Sequence, residues 1–406
     1  MQDNEKKPAL RFKGFTDPWE QCKFGEVVDK YEDPVETPHD GYYRLGIRSH
    51  AKGTFHSYVE KGHELETAQM YRVAAGNFIV NITFGWEHAV AITNESDAGK
   101  LVSHRFPQYS FHDDMLPEFF KYVIADEDFR HWLWLASPGG AGRNRVLKLD
   151  EMLNYEMVLP SKEEQQRIAA IFRNLDTLIT LHQRKYEKLV NIKKSMLDKM
   201  FPPNGASVPE IRFKGFTDPW EQRKLGEIAK EVVRNDPASD APIMMITAGN
   251  GFIEQSDRYA FNNAGESLKK YILLERGELA YNHGASKLRP YGSCFALTTV
   301  EKARIPFVYH CFSVEKSNPE FLSIELNGAN VENQLRKIVS SGARMDGLLN
   351  IAYSEYTEVT VQLPKKEEQD WIAKFFKHLD TLITLHQRKL EKLQNIKKSC
   401  LEKMFV

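Results

Sequence analysis

Two long stretches of the chain carry core-type residues at alternating steps of four and three. In the first these are Ile168, Phe172, Leu175, Ile179, His182, Tyr186 and Leu189. In the second they are Ile372, Phe376, Leu379, Ile383, His386, Leu390 and Leu393. That spacing returns a narrow seam to one side of a helix, whereas a half-buried strand alternates every second residue. No Gly or Pro interrupts either run, and both are rich in Leu, Lys, Glu, Gln and Ala. The pattern predicts helices over 160–201 and 364–406. At roughly 1.5 Å per residue each reaches on the order of 60 Å. Ser161 and Glu164 have the spacing of a capping box. The second copy has Lys365 in place of the Ser, with Glu367 and Glu368 near the positive helix end. Pro202 and Pro203 stop the first helix. So narrow a seam on so long a helix needs a partner helix. Each helix leaves one globular segment and returns toward the other, which predicts an antiparallel coiled-coil pair. His182 and His386, inside the seam, are read as buried polar residues that set register rather than as metal ligands.

The two helical stretches are copies of each other. PSKEEQQRIAAIF matches PKKEEQDWIAKFF, and LDTLITLHQRK is identical in both. A second duplicated motif, RFKGFTDPWEQCKFGEV (11–27), returns as RFKGFTDPWEQRKLGEI (212–228). The chain is therefore two tandem units, each a globular segment followed by a long helix. The reading is a loose N-terminus at 1–9, a globular domain at 10–159, a helix at 160–201, a turn-rich linker at 202–210, a second globular domain at 211–363 and a second helix at 364–406. The helices set a pseudo-two-fold relation between the halves.

The middles of the globular segments have diverged, but landmarks survive. GNFIVN aligns with GELAYN, PEFF with PEFL, and Arg143 with Arg344. Short runs with strand character predominate: YYRLGI, NFIVNITF and HAVAI in the first unit; PIMMIT, ELAYN, SCFALTTV and PFVYHCFSV in the second. Short helices are expected after PEFF and PEFL. Each segment reads as a mixed, β-rich domain, so the fold class is α+β. Trp19 and Trp220 are repeated and expected to pack the entry strand. The alternation in HWLWLA puts Trp132 and Trp134 in the core.

Composition narrows the partners. With Lys+Arg 55 against Asp+Glu 56, no global charge draws the chain to nucleic acid or membrane. Any DNA contact must come from local basic faces. Cys22, Cys294, Cys311 and Cys400 are scattered without a CxxC pair, which argues for a reduced cytoplasm and against a zinc finger. No signal-peptide core or bilayer-spanning run is present in the sequence.

Two diverged globular domains between near-identical long helices resemble the specificity subunit of type I restriction–modification systems. The FTDPWEQ–LGE entry motif, the Gly-x-x-x-x-Asn landmark, and LPSKEEQQRIAAIF and LPKKEEQDWIAKFF leading into LDTLITLHQRK carry the resemblance over nearly the whole chain. It implies that the globular segments are target-recognition domains, each reading half of a bipartite, asymmetric site in double-stranded DNA. It implies that the helices set the spacer and dock two modification (methyltransferase) subunits, with motor-nuclease restriction subunits completing the complex. This chain would be non-catalytic and hold no cofactor; S-adenosylmethionine, ATP and Mg would belong to the partners.

Reading bases calls for Arg, Lys, Asn or Gln at groove edges, and clamping phosphate for Lys, Arg, Ser and loop amides. In the first unit the candidates are Arg143, Asn144 and Arg145 in SPGGAGRNR, and Arg44, Arg48, His50 and Lys52 in RLGIRSHAKG. In the second they are Asn282, His283, Ser286, Lys287, Arg289 and Tyr291 in NHGASKLRPYG, and Arg344 in SSGAR. A basic, Gly-containing loop is by itself a weak signal and often only a surface turn. Because Arg143 and Arg344 recur in both units, holding phosphate or the fold suits them better than reading different bases. The helix surface away from the seam is basic at Arg173, Arg184, Lys185, Lys188, Lys193 and Lys194, which a solvated coiled-coil face would also explain.

Two other readings fit the sequence less well. As a self-contained adenine methyltransferase, the chain would use Asn318-Pro319-Glu320-Phe321. That stretch lacks the second Pro of the Asn-Pro-Pro-aromatic motif and aligns with a structural turn in the first unit. No glycine-rich methyl-donor loop or GxxxxGK[ST] phosphate loop accompanies it. A coiled-coil scaffold that binds only proteins would explain the helices but not two loop-rich domains bearing basic clusters.

Overall fold

The computed structural model describes residues 7–64, 69–139, 145–203, 205–257, 265–339 and 349–406. Two compact units divide the chain. Unit 1 comprises Met1–His182 and Lys389–Val406; unit 2 comprises Gln183–Arg388. Each therefore holds one globular segment and a part of both long helices.

Unit 1 contains β1 (Glu20–Lys23), β2 (Val28–Tyr31), β3 (Pro34–Glu36), β4 (Tyr42–Ile47), β5 (Thr54–Val59), β6 (Gln69–Arg72), β7 (Phe78–Val80), β8 (Val90–Ile92), β9 (Leu101–Val102) and β10 (Gln108–Phe111). These are followed by α1 (Pro117–Val123), α2 (Glu127–Leu135), α3 (Leu149–Leu153), β11 (Glu156–Leu159) and the start of α4 (Lys162–Lys199). Three sheets form: β1-β11, β2-β10-β7-β8 and β3-β6-β9-β4-β5. Unit 2 contains the end of α4, then β12 (Glu221–Lys224), β13 (Ala229–Glu231), β14 (Met244–Thr247), β15 (Gly251–Glu254), β16 (Ile272–Glu275), β17 (Leu279–Asn282), β18 (Ser293–Ala296), β19 (Lys302–Ile305) and β20 (His310–Val314). Then come α5 (Pro319–Leu326), α6 (Ala329–Ile338), α7 (Tyr353–Tyr356), β21 (Thr360–Leu363) and most of α8 (Lys366–Met404). Its sheets are β12-β21, β13-β20-β17-β18 and the pairs β14-β15 and β16-β19.

The duplicated sequence builds a duplicated frame. The entry strand pairs antiparallel with the strand before the long helix, Glu20 opposite Leu159 in one unit and Glu221 opposite Leu363 in the other. The four-stranded sheet has the same order in both units, and GNFIVN and GELAYN occupy its equivalent strands β7 and β17. Pro at the first turn starts α1 and α5, where its missing N–H costs nothing. What differs is the remainder: a five-stranded sheet in unit 1, and two strand pairs in its place in unit 2.

Within each unit the helical segments run antiparallel. Asp176 meets Lys397 at 2.6 Å in unit 1, and Lys193 meets Asp380 at 2.5 Å in unit 2. Asp176 and Asp380 are the same repeat position, as are Lys193 and Lys397, so one ion pair is made twice. Ile168 and Phe172 in unit 1, and Ile372, Phe376 and Leu379 in unit 2, are buried in the globular cores. Burial of such a side chain contributes about 1.5–3 kcal/mol. Further along, Leu175, Ile179, His182, Tyr186, Leu189, Ile383, His386, Leu390 and Leu393 are half-buried, with mostly exposed neighbours on either side. The far end of each helix is a plug for the other repeat's core. Phe405 stacks on Phe119 at 5.5 Å and Phe201 on Phe321 at 5.7 Å, each beside a buried entry-motif Trp. Trp19 and Trp220 are 3% and 4% exposed.

Three local expectations are corrected. NFIVNITF is a strand only to Val80, because Asn81 turns the chain by accepting the Thr83 amide on its side-chain oxygen. HWLWLA lies in α2 rather than a strand, so its two Trp do not share a face. Trp132 is half-buried and donates to the Glu151 carbonyl, while Trp134 is 42% exposed. The Ser161–Glu164 capping box is only half made. The Glu164 amide lies 3.5 Å from the Ser161 hydroxyl, but its carboxylate is bound elsewhere.

Candidate nucleic-acid interface

Each globular core is fixed to its helix by two consecutive side chains of the duplicated KEEQ motif. Glu164 accepts from Arg11 Nε and Nη2, both at 2.7 Å, and Glu368 accepts from Arg212 in the same way at the same distances. The carboxylates are 1% exposed and the guanidinium side chains 14% and 12%. Bidentate geometry and burial make these the strong class of ion pair. The next residue ties the helix to α1 or α5. Gln165 accepts the Leu116 amide at 2.9 Å and donates to the Pro160 carbonyl; Gln369 accepts the Asn318 amide at 2.8 Å and donates to the Pro364 carbonyl. Entry motif, short helix and long helix are thereby locked as one body in each unit. A locked body lets loops on the globular part present side chains in a set direction from the helix.

In unit 1 the predicted basic residues divide by what they touch. Arg48 is engaged, donating to the Thr54 carbonyl with its guanidinium 5.3 Å from the Phe55 ring centre. His50 and Ala51 adopt left-handed backbone, φ 61° and 48°, held by amide bonds to Glu87 O and His88 O. That conformation is uncommon for residues with a Cβ; here it fixes the loop that carries Lys52. The His50 and Lys52 side chains are exposed. Arg145 lies 4.5 Å over the Trp134 ring, and His131 stacks on the same ring at 6.1 Å. Arg143 and Asn144 lie outside the described residues.

Unit 2 turns most of its candidates inward. Asn282 donates to the Ile246 carbonyl and accepts the Gly284 amide. His283 is 6% exposed, and its Nδ1 donates to the Leu349 carbonyl. Arg289 donates from Nη1 to the Asn327 carbonyl at 2.6 Å, and burial pushes its guanidinium below the ordinary value. Ser286 accepts the Arg289 amide, closing a turn. Tyr291 is half-buried, with its carbonyl bonded by the Tyr281 hydroxyl. Lys287 is exposed and has no hydrogen-bond or ion-pair partner among the described residues. It sits beside Leu288, 64% exposed, which abuts Gly249 in the β14-β15 turn. Arg344 lies outside the described residues.

Arg44 belongs to a site that sequence reading missed. With Asn81, Phe84, His104 and Arg105 it lines a cleft of about 720 Å³ in unit 1. Phe84 is 42% exposed there. The signal available in sequence was Ser103-His104-Arg105-Phe106, a basic–aromatic run directly after a strand, but nothing in it pointed to Arg44, some sixty residues away.

Residues 56–191 match the model of the type I restriction modification DNA specificity domain. That segment is a type I restriction–modification specificity domain. The match runs from β5 into the second half of α4; the four-stranded sheet of unit 1, most of which it includes, is repeated in unit 2 with the same strand order. Three solved structures align with the chain over nearly its full length. The type I restriction–modification system S subunit from M. genitalium is 12% identical, with a TM-score of 0.51 and coverage of 98% of this chain and 99% of its own. The HsdS subunit from Thermoanaerobacter tengcongensis is 17% identical, with a TM-score of 0.43 and coverage of 95% and 96%. A chain from work on complex assembly and conformational transition of the type I R-M system is 15% identical, with a TM-score of 0.43 and coverage of 95% and 97%.

The long helices carry a second duplicated surface. Leu178 and Leu181 are 42% and 44% exposed, and their repeat equivalents Leu382 and Leu385 are half-buried and 45% exposed. They lie within the identical LDTLITLHQRK block. Of the basic residues on these helices, Lys193 is consumed by Asp380, and Arg173 lies 3.8 Å from Glu118. Among the described residues no helix is long and apolar enough to cross a membrane.

Proposed function

We propose that this chain is the DNA-reading subunit of a type I restriction–modification complex. Each unit reads one half of a bipartite, asymmetric site, and the long helices set the spacer and dock two methyltransferase subunits. Motor-nuclease subunits complete the assembly, which works in the cytoplasm. Methyl transfer, ATP hydrolysis and their S-adenosylmethionine, ATP and Mg reside in the partners. The observation that carries this reading is the contrast between the units. The frame, the Arg–Glu pair and the helices are duplicated, while the sheets and loops built on them differ. Unlike readers on like supports suit two different half-sites; identical readers would suit a palindrome.

Exchange of residues 29–140 for those of a relative tests it. Mapping methylated bases in cells carrying the complex should show one half-site altered and the other kept; alteration of both would remove the two-reader account.

The repeated leucines predict the stoichiometry. Leu178→Glu with Leu181→Glu should leave melting unchanged, since both side chains are exposed, and should reduce bound methyltransferase from two copies to one by native mass spectrometry. Retention of two copies would place docking elsewhere.

A further inference from the structure

We propose that the cleft lined by Arg44, Asn81, Phe84, His104 and Arg105 is where unit 1 reads a guanine of its half-site, with Arg105 as the reading residue; this rests on the function proposed above. Three observations carry it. First, the Arg44 and Arg105 side chains have no hydrogen-bond or ion-pair partner among the described residues, although both line one cleft. Arg11 and Arg130 of the same unit are tied down, by Glu164 and Glu127. The one acidic residue of the lining, Glu87, already accepts the Ser49 hydroxyl. Two arginines against one carboxylate leave the lining net positive, which suits an anionic or acceptor-rich ligand.

Second, the backbone under Arg105 is held while its side chain is free. The Arg105 carbonyl accepts the Ile82 amide at 3.0 Å, and Phe106 N–H bonds Ser103 O at 3.0 Å, closing a turn between β9 and β10. A fixed backbone spares the cost of ordering the loop, so that only the side chain is ordered on binding. Guanine N7 and O6 form the acceptor pair that a guanidinium meets with two parallel hydrogen bonds. Third, Phe84 and Phe55, 42% and 41% exposed, line the same cleft. Exposed rings beside a cation suit the apolar contact that a neighbouring thymine methyl supplies, whereas a phosphate-only site gains nothing from them.

The test uses the whole complex and duplexes carrying its mapped site. 7-Deazaguanine, which lacks N7 but keeps base pairing, replaces each guanine in the half-site that the 29–140 exchange assigns to unit 1. One such position should weaken wild-type binding about tenfold. Arg105→Ala should weaken binding to the natural duplex by a similar factor and feel no further loss at that position. Arg105→Lys should recover binding only in part, because an ammonium meets N7 and O6 without the planar fork. Arg105 is exposed, so melting should be unchanged in both variants. The proposal is overturned if Arg105→Ala leaves affinity and sequence choice intact, or if the 7-deazaguanine loss is the same in wild type and in Arg105→Ala, which marks a phosphate contact. A wild-type complex without sequence preference, or an exchange that moves no half-site, defeats the underlying reading instead.

Discussion

Glu368→Ala should destabilise unit 2 by about 3–5 kcal/mol, because removal of one partner leaves the other as an uncompensated charge in a desolvated place. Arg212 is 12% exposed and two of its nitrogens donate to the Glu368 carboxylate. Its guanidinium is held above the ordinary value chiefly by that hydrogen bond. Alanine would also release the entry motif that leads into β12 from the start of α8, since the pair is made across 156 residues of chain. Urea unfolding, with hydrogen exchange of the β12 and β21 amides as the local readout, measures the loss. The double replacement Arg212→Met with Glu368→Leu should recover much of it, because two apolar side chains leave no orphaned charge. A single-variant loss below about 1 kcal/mol would show that the pair does not hold the joint.

Glu325→Gln should stabilise the protein, and only above acid pH. Glu325 is 2% exposed, and burial pushes its carboxyl up to about 7 from the ordinary 4.5. The raised value means that the folded state keeps the proton more tightly than the unfolded chain does. Stability is therefore full below about pH 4.5, falls as pH rises through 7, and stays lowered above it. A shift of this size is worth on the order of 3 kcal/mol. Glutamine does not titrate and keeps an oxygen for the Gln362 amide, which Glu325 Oε1 accepts at 3.0 Å. Melting at pH 8 should rise in the variant, while melting at pH 4.5 should match wild type. An equal shift at both pH values would assign the effect to packing rather than to the proton.

Much of the frame was legible because its signals are local or repeated. The four-and-three spacing of Ile168 through Leu189 states a helix wherever the chain goes, and the second copy states it again. GNFIVN and GELAYN could be aligned by eye, and they occupy equivalent strands. The Trp of the entry motif could be placed in the core for the same reason. Glu164 was read wrongly because capping is a local rule, while its actual partner, Arg11, lies 153 residues away. Trp134 was read wrongly because alternation over four residues does not separate a strand from one turn of helix.

The candidate site was far less legible. Arg289, Lys287 and Arg44 look alike in a string of letters. One donates into the Asn327 carbonyl, one stands in solvent, and one lines a cleft with Arg105. Nothing near them in sequence separates these fates, because each depends on where a distant carbonyl, carboxylate or ring ends up.

Duplication, helix length, seam and tandem order were properties of this chain before it folded, since they follow from periodicity and repetition along the backbone. The conversion of a duplicated Glu into a buried joint, the closing of each core by the far end of a helix, and the choice of which arginines stay free came from packing. Those outcomes depend on contacts between residues that are far apart in the chain. Burial then adds or removes several kcal/mol according to whether each polar group has found a partner.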